Sequence, residues 1–216
     1  MSLLSQHISD RLLQIKAIKL NAQNPFTWAS GLRSPIYCDN RKILSFPDVR
    51  TEVVNGLEEM ARINLLGIDA IAGVATAGIA WGALLADRMK LPFCYVRSAP
   101  KEHGLKNMIE GQLPKGSQVL VVEDLISTGG SALLASQALE NESFKVLAVL
   151  SIFQYNFPDA TTKFELKKLK LLSLTNFHTL LEQALQSGLV THEDHVRLKS
   201  WNANPKLWSD MFLTHN

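Results

Sequence analysis

The stretch from Val119 to Leu134, VLVVEDLISTGGSALL, constrains this chain more than any other. An apolar, β-branched run leads into two adjacent carboxylates, then a loop of hydroxyls and glycines, then an alanine- and leucine-rich helical pattern. Ser117 to Val122 is too continuously apolar for a strand with one wet face, which predicts a parallel strand covered on both sides by helices. Glu123 and Asp124 then fall at its carboxyl end, where open α/β sheets bind ligands. Through Leu125 and Ile126 to Ser131 the chain has to turn into a helix. Gly129 and Gly130 permit positive φ and close approach to the backbone, while Ser127, Thr128 and Ser131 supply hydroxyls. The helix that starts here points its unpaired N–H groups and positive dipole end into the same cup, which suits a phosphate. Two anions beside that cup disfavour a second phosphate but accept hydrogen bonds from vicinal hydroxyls, so a sugar phosphate is the expected ligand. No Lys follows Gly130 and no GxGxxG is present, which sets aside the nucleotide-triphosphate and dinucleotide loops.

The remaining segments supply a sheet for this strand and further candidate contacts. Residues 2–20 carry apolar side chains at spacings of mostly three or four and read as an amphipathic helix. Residues 25–41, PFTWASGLRSPIYCDNR, read as a small hairpin-like flap whose aromatic rings suit either a planar base or plain packing. Pro47 opens a helix to about Ile63, after a candidate Ser45 cap. Ile68 to Val74 is a second buried strand, followed by a small-residue turn, Ala75-Thr76-Ala77-Gly78, and a helix from Ile79 to Met89. Such a turn can offer backbone N–H groups to a second anionic group. Pro92 to Val96 is a third strand. Arg97 to Lys115 is charged and poor in aliphatics; with Arg97, Lys101, His103 and Lys106 it reads as a cationic lid suited to pyrophosphate. Beyond the central motif come a helix (132–139), a strand (145–153), a turn-rich connection (154–165), a strand (168–174) and helices at 176–186 and 191–200. His192, Glu193 and His195 cluster there, but without a third ligand at suitable spacing they read as helix surface rather than a metal site.

Composition narrows the partners. Lys and Arg number 22 against 20 Asp and Glu, a formal charge of +2, which gives no footprint for nucleic acid. Cys38 and Cys94 form no CxxC or zinc pattern, and the N-terminus has no long apolar region, so neither a membrane span nor a signal peptide is expected and a cytoplasmic location is. The length fits one domain: helix and hood over 1–45, an α/β core over 46–186, and a helical tail over 187–216.

The order apolar strand, acid pair, two apolar residues, Ser-Thr-Gly-Gly-Ser resembles the phosphoribosyl-diphosphate (PRPP) signature of the type I phosphoribosyltransferases. Together with FTWASGLRSPIYCDNR, GVATAGIA and YVRSAPKEHG, in order and approximate spacing, it is most similar to the bacterial orotate phosphoribosyltransferases over roughly residues 10–185. The resemblance implies a central mostly parallel sheet flanked by helices, a hood, a mobile lid, and transfer of ribose 5-phosphate from PRPP to orotate with Mg²⁺. It implies that Arg97, Lys101 and His103 bind the diphosphate, the lid reaching a neighbouring subunit's site in a homodimer. Glu123 to Ser131 would hold the 5′-phosphate and ribose, with Ser127 also near the base and Phe26 and Tyr37 enclosing the orotate ring. Lys101, His103 and Asp124 would be catalytic, and the metal would reach the protein mainly through substrate and water. The chain departs from some relatives at Ala77 and Ser98, where they carry lysine, and at Gln154, where they carry arginine; Arg33, Lys42 or backbone N–H groups are candidates to replace those cations. Transfer to another nucleobase, or a PRPP-sensing regulator on the same fold, are the alternatives.

Overall fold

A computed structural model describes residues 2–28, 30–99 and 108–214, with side chains as far as Met211. The order is α1 (Leu3–Gln14), β1 (Ile18–Leu20), β2 (Phe26–Thr27), β3 (Arg33–Ser34), β4 (Ile36–Cys38), a 3-10 helix (Asn40–Ser45), α2 (Pro47–Asn64), β5 (Ala70–Val74), α3 (Gly78–Met89), β6 (Phe93–Val96) and β7 (Ile109–Glu110). It continues with β8 (Gln118–Ile126), α4 (Gly130–Asn141), β9 (Lys145–Gln154), α5 (Pro158–Leu166), β10 (Lys170–Asn176), α6 (Phe177–Gln186), α7 (His192–Ala203) and α8 (Pro205–Thr214).

Six strands form one sheet in the order β10-β9-β8-β5-β6-β7. All neighbours are parallel except β7, which runs antiparallel to β6. The continuous apolar run of β8 is explained by cover on both faces. Leu120 and Val122 join the core formed with α1, α2, α3 and α6, while Val119 and Val121 join a second core under α4 and α5. Alternate side chains of a strand point to opposite faces, so one stretch serves both cores. Each fully buried aliphatic there contributes about 1.5–3 kcal/mol.

Several boundaries differ from the sequence reading. The first helix stops at Gln14, because Lys16 takes φ 56 and Ala17 and Ile18 turn into the core, where β1 pairs with β4. Phe46, not Ser45, precedes α2 and supplies no side-chain cap. β8 runs through both acids to Ile126, so the turn is confined to 127–129. The connection containing Pro158 is a helix: proline fits a first turn whose N–H groups have no partner, and Asp159 beside it complements the dipole.

Candidate active site

β5 and β8 are neighbours from which the sheet grows in opposite directions, through β6 and β7 on one side and β9 and β10 on the other. Crevices open outside the carboxyl ends of strands at such a switch point. Both strands feed a helix whose N-terminus has no side-chain cap, α3 behind Ala77 and α4 behind Gly129. α1, α6 and α7 are capped by Ser2, Asn176 and Thr191, whereas α2 and α5 also lack a side-chain cap but begin with Pro47 and Pro158, which have no N–H to satisfy. Backbone N–H groups at the crevice are thus left for a ligand.

The first cup, Ala75, Thr76, Ala77 and Gly78, is made of backbone. Ala75 N–H donates to Val96 O at 2.8 Å, and the Ala75–Thr76 peptide is cis. A Cβ on Gly78 would lie 2.5 Å from Val122 O and 3.3 Å from Glu123 Oε1, so this helix start leans directly on the acid-bearing strand. Arg97 follows β6 beside this cup, its N–H donating to Met108 O at 2.8 Å and its guanidinium 3.7 Å from Glu110. Lys101, His103 and Lys106 lie outside the described residues.

The second cup is a hollow of about 90 Å³ lined by Glu123 and Leu125 to Ala132. Leu125 and Ile126 anchor it, one packed against each core. Gly129 has φ 76 and sits on Phe164 of α5, while Lys163 Nζ donates to Thr128 O at 3.4 Å. Gly130 faces open space, the nearest atom to a Cβ there being Thr128 Oγ1 at 3.9 Å. Ser127 is half-buried; Thr128 and Ser131 are exposed.

Strand alternation separates the two acids. Glu123 is 7 % exposed, Asp124 half-buried, and Asp124 N–H donates to Glu123 Oε1 at 3.0 Å. Burial, and then the Asp124 charge, push the Glu123 carboxyl up to about 9. Burial raises Asp124 as well, opposed by the hydrogen bond from Glu123, by backbone N–H groups and by Arg41. Two adjacent buried carboxyls therefore favour retaining a proton between them, and a cation or the hydroxyls of a sugar would favour its release.

The hood closes over this edge. Phe26 and Tyr37 pack with ring centroids 5.7 Å apart, Tyr37 being 38 % exposed. Asn40 Nδ2 donates to Asp124 O at 2.7 Å, a clamp the sequence reading missed because the two residues lie 84 positions apart. α8 fixes the hairpin from behind, Ser209 Oγ accepting from Arg33 N–H at 3.0 Å. Tyr155, stacked on Phe157, links Trp28 of the hood to Trp201 of α7, and Tyr155 N–H donates to Ile126 O at 3.0 Å. Of the departing positions, Gln154 ends β9 in register with Ile126, Ala77 precedes α3, and Ser98 is exposed. Lys42 Nζ is committed to Lys16 O at 3.1 Å. His195 pairs with Glu182 at 2.9 Å, and Glu193 with Arg197.

A switch-point crevice flanked by two uncapped helices, with an acid pair between them, defines a type I phosphoribosyltransferase fold, and residues 53–173 match the phosphoribosyl transferase domain family. The orotate phosphoribosyltransferase of Porphyromonas gingivalis is 46 % identical over 208 residues, spanning 96 % of this chain and 99 % of that one. That of Cutibacterium acnes is 48 % identical over 207 residues, 96 % of each. The crystal structure of orotate phosphoribosyltransferase from Aeropyrum pernix superposes with a TM-score of 0.75 at 29 % identity, over 85 % of this chain and 99 % of that one. The chain belongs to the orotate phosphoribosyltransferase family of pentosyl-transferring enzymes.

Proposed function

We propose that this chain carries out its family's reaction, transfer of ribose 5-phosphate from PRPP to orotate, giving orotidine 5′-monophosphate and pyrophosphate for pyrimidine biosynthesis. The observation that carries the assignment of its parts is the Glu123 carboxylate wedged beside the start of α3 while its own strand leads into the cup of α4. One pocket thereby offers anion-binding ends on both sides of a ribose-binding pair.

In this reading Ser127, Thr128, Ser131 and the N–H groups around Gly129 and Gly130 hold the 5′-phosphate. Asp124 and Glu123 accept hydrogen bonds from the ribose hydroxyls. Departure of pyrophosphate leaves oxocarbenium character at the anomeric carbon, so carboxylates fixed beneath the sugar favour the transition state over the ground state. The turn 75–78 and Arg97, with Lys101 and His103, take the diphosphate. Phe26, Tyr37 and Ser127 enclose the orotate ring, and the lid that carries Lys101 and His103 keeps water from the cation; the end of the 97–115 stretch belongs to the fold instead, Ile109 pairing with Val96 in the sheet and Leu113 being buried. No nucleophilic side chain is required.

The donor set fits Mg²⁺. Glu123 and Asp124 are hard oxygen donors, and among the described residues no group of three His, Cys, Asp or Glu side chains is placed to hold a metal ion. An ion there would keep water and substrate oxygens as most of its shell. When bound it neutralises charge on the diphosphate. The protein acts as a cytoplasmic homodimer whose lid serves the neighbouring site; among the described residues no helix is long and apolar enough to cross a membrane.

The test is the ultraviolet loss of orotate on mixing protein, PRPP and Mg²⁺, with uracil and purine bases in parallel. Mg²⁺-dependent loss restricted to orotate is expected. Turnover of another base in its place would move the specificity, and silence with every base would overturn the reading.

A further inference from the structure

Orotate is an anion, and the crevice edge it must enter is anionic already. Glu123, Asp124 and Asp39 gather there, and Gln154 is neutral at the position where some relatives carry arginine. Of the cations suggested by sequence, Lys42 is spent on the Lys16 carbonyl. Arg33 lies in the hairpin held by α8.

Arg41 is differently placed. It follows Asn40, whose side chain grips the Asp124 carbonyl at 2.7 Å, so the start of the 3-10 helix is pinned to the acid-bearing strand. Its Nε donates to Asp39 Oδ1 at 2.7 Å, which fixes the guanidinium plane and leaves both terminal nitrogens free of that contact. The side chain is 66 % exposed, open to an incoming ligand. Asp39 anchors the guanidinium, and Tyr37 and Asp124 are the next charged or ionisable groups within its reach. Arg41 thus stands next to the residue clamped to the ribose-binding strand and close to the ring of the hood. A guanidinium with two free nitrogens matches a planar carboxylate in a bidentate pair.

Resting on the function proposed above, we infer that Arg41 receives the carboxylate of orotate, oriented by Asp39 and by the Asn40 clamp. The arginine lost at Gln154 is then replaced from the opposite side of the pocket, by the hood rather than the sheet. The same contact makes Arg41 a determinant of specificity, since uracil has no carboxylate to offer it.

Steady-state kinetics on Arg41→Ala, Arg41→Lys, Asp39→Asn and Arg33→Ala test this. A lost charge-assisted pair corresponds to a rise of about 10- to 100-fold in KM for orotate in Arg41→Ala, with KM for PRPP within about threefold of the parent. Arg41→Lys should recover part of the loss, and Asp39→Asn should show a smaller rise in the same direction. Orotate preference over uracil should fall in Arg41→Ala. Unchanged orotate KM, an equal rise in PRPP KM, or the loss appearing in Arg33→Ala in place of Arg41→Ala would overturn the inference. A parent protein inactive on orotate would instead sink the reading on which it rests. Arg41 is exposed, so Arg41→Ala should melt with the parent; if it does not, Arg41→Gln keeps the stem and gives the same readout.

Discussion

The two strand-to-helix turns at the switch point solve one problem in opposite ways. The turn after β5 is closed against the protein: Gly78 has Val122 O where a Cβ would go, and Gly73 packs directly on the start of α3 at Gly78 and Ile79 and on Gly82 one turn further along that helix. The turn after β8 is open toward ligand, with hydroxyls at 127, 128 and 131 and free space at Gly130. Glycine in the first turn serves close packing, whereas glycine in the second serves ligand approach. Anion binding by backbone needs a rigid frame, and anion binding by side chains needs room.

That contrast can be broken by substitution, the largest effect coming first. Gly78→Ala places a Cβ against a backbone oxygen that cannot rotate away, and should cost about 3 kcal/mol of stability, the upper end of overpacking, as read by denaturant unfolding. Wild-type stability would show that α3 can slide off β8 and that the first cup is not a fixed frame. Asp124→Asn should do the reverse, lowering turnover on the order of 100-fold. Its melting temperature should stay level or rise, because a carboxylate whose charge burial disfavours is gone. Gly130→Ala sharpens the distinction within one residue type: melting unchanged, KM for PRPP raised about tenfold by crowding of the cup.

A separate test of the buried acid is its pH dependence. The folded Glu123 carboxyl titrates near 9 instead of its ordinary 4.5, raised by burial and then by Asp124. A raised value means the folded protein holds the proton longer than the unfolded chain. The contribution to stability is fully present below 4.5 and is lost as pH climbs toward about 9. Glu123→Gln should flatten the ligand-free stability profile over that window, measured by thermal melts; an unaltered slope would show that Glu123 ionises freely in the fold.

Much of the sheet was legible because strands and helices are encoded over a dozen neighbouring residues. β5, β6, β8 and β9, with the helices α3 and α4, fall within a few residues of the expected spans, and Asn176 caps α6 as its sequence position suggested. The errors arise where a long-range contact outweighs local pattern. Ile18 has helical spacing but leaves the helix to pair with Cys38, and β8 continues past its apolar run because β9 keeps pairing with it as far as Ile126. Pro158 was taken for a turn residue when its rigid φ equally suits a first helical turn.

The sequence by itself determined the acid pair, the hydroxyl cup, the second small-residue turn and their order along the chain, since each is a run of adjacent residues whose chemistry does not depend on what packs nearby. Only the tertiary structure decided that Glu123 is buried against α3, that Lys42 is turned away to Lys16, and that Asn40 brings Arg41 to Asp124. Those outcomes depend on which side chains meet across tens of residues of intervening chain, and they are settled by burial and hydrogen-bond satisfaction in the packed core rather than by any local pattern.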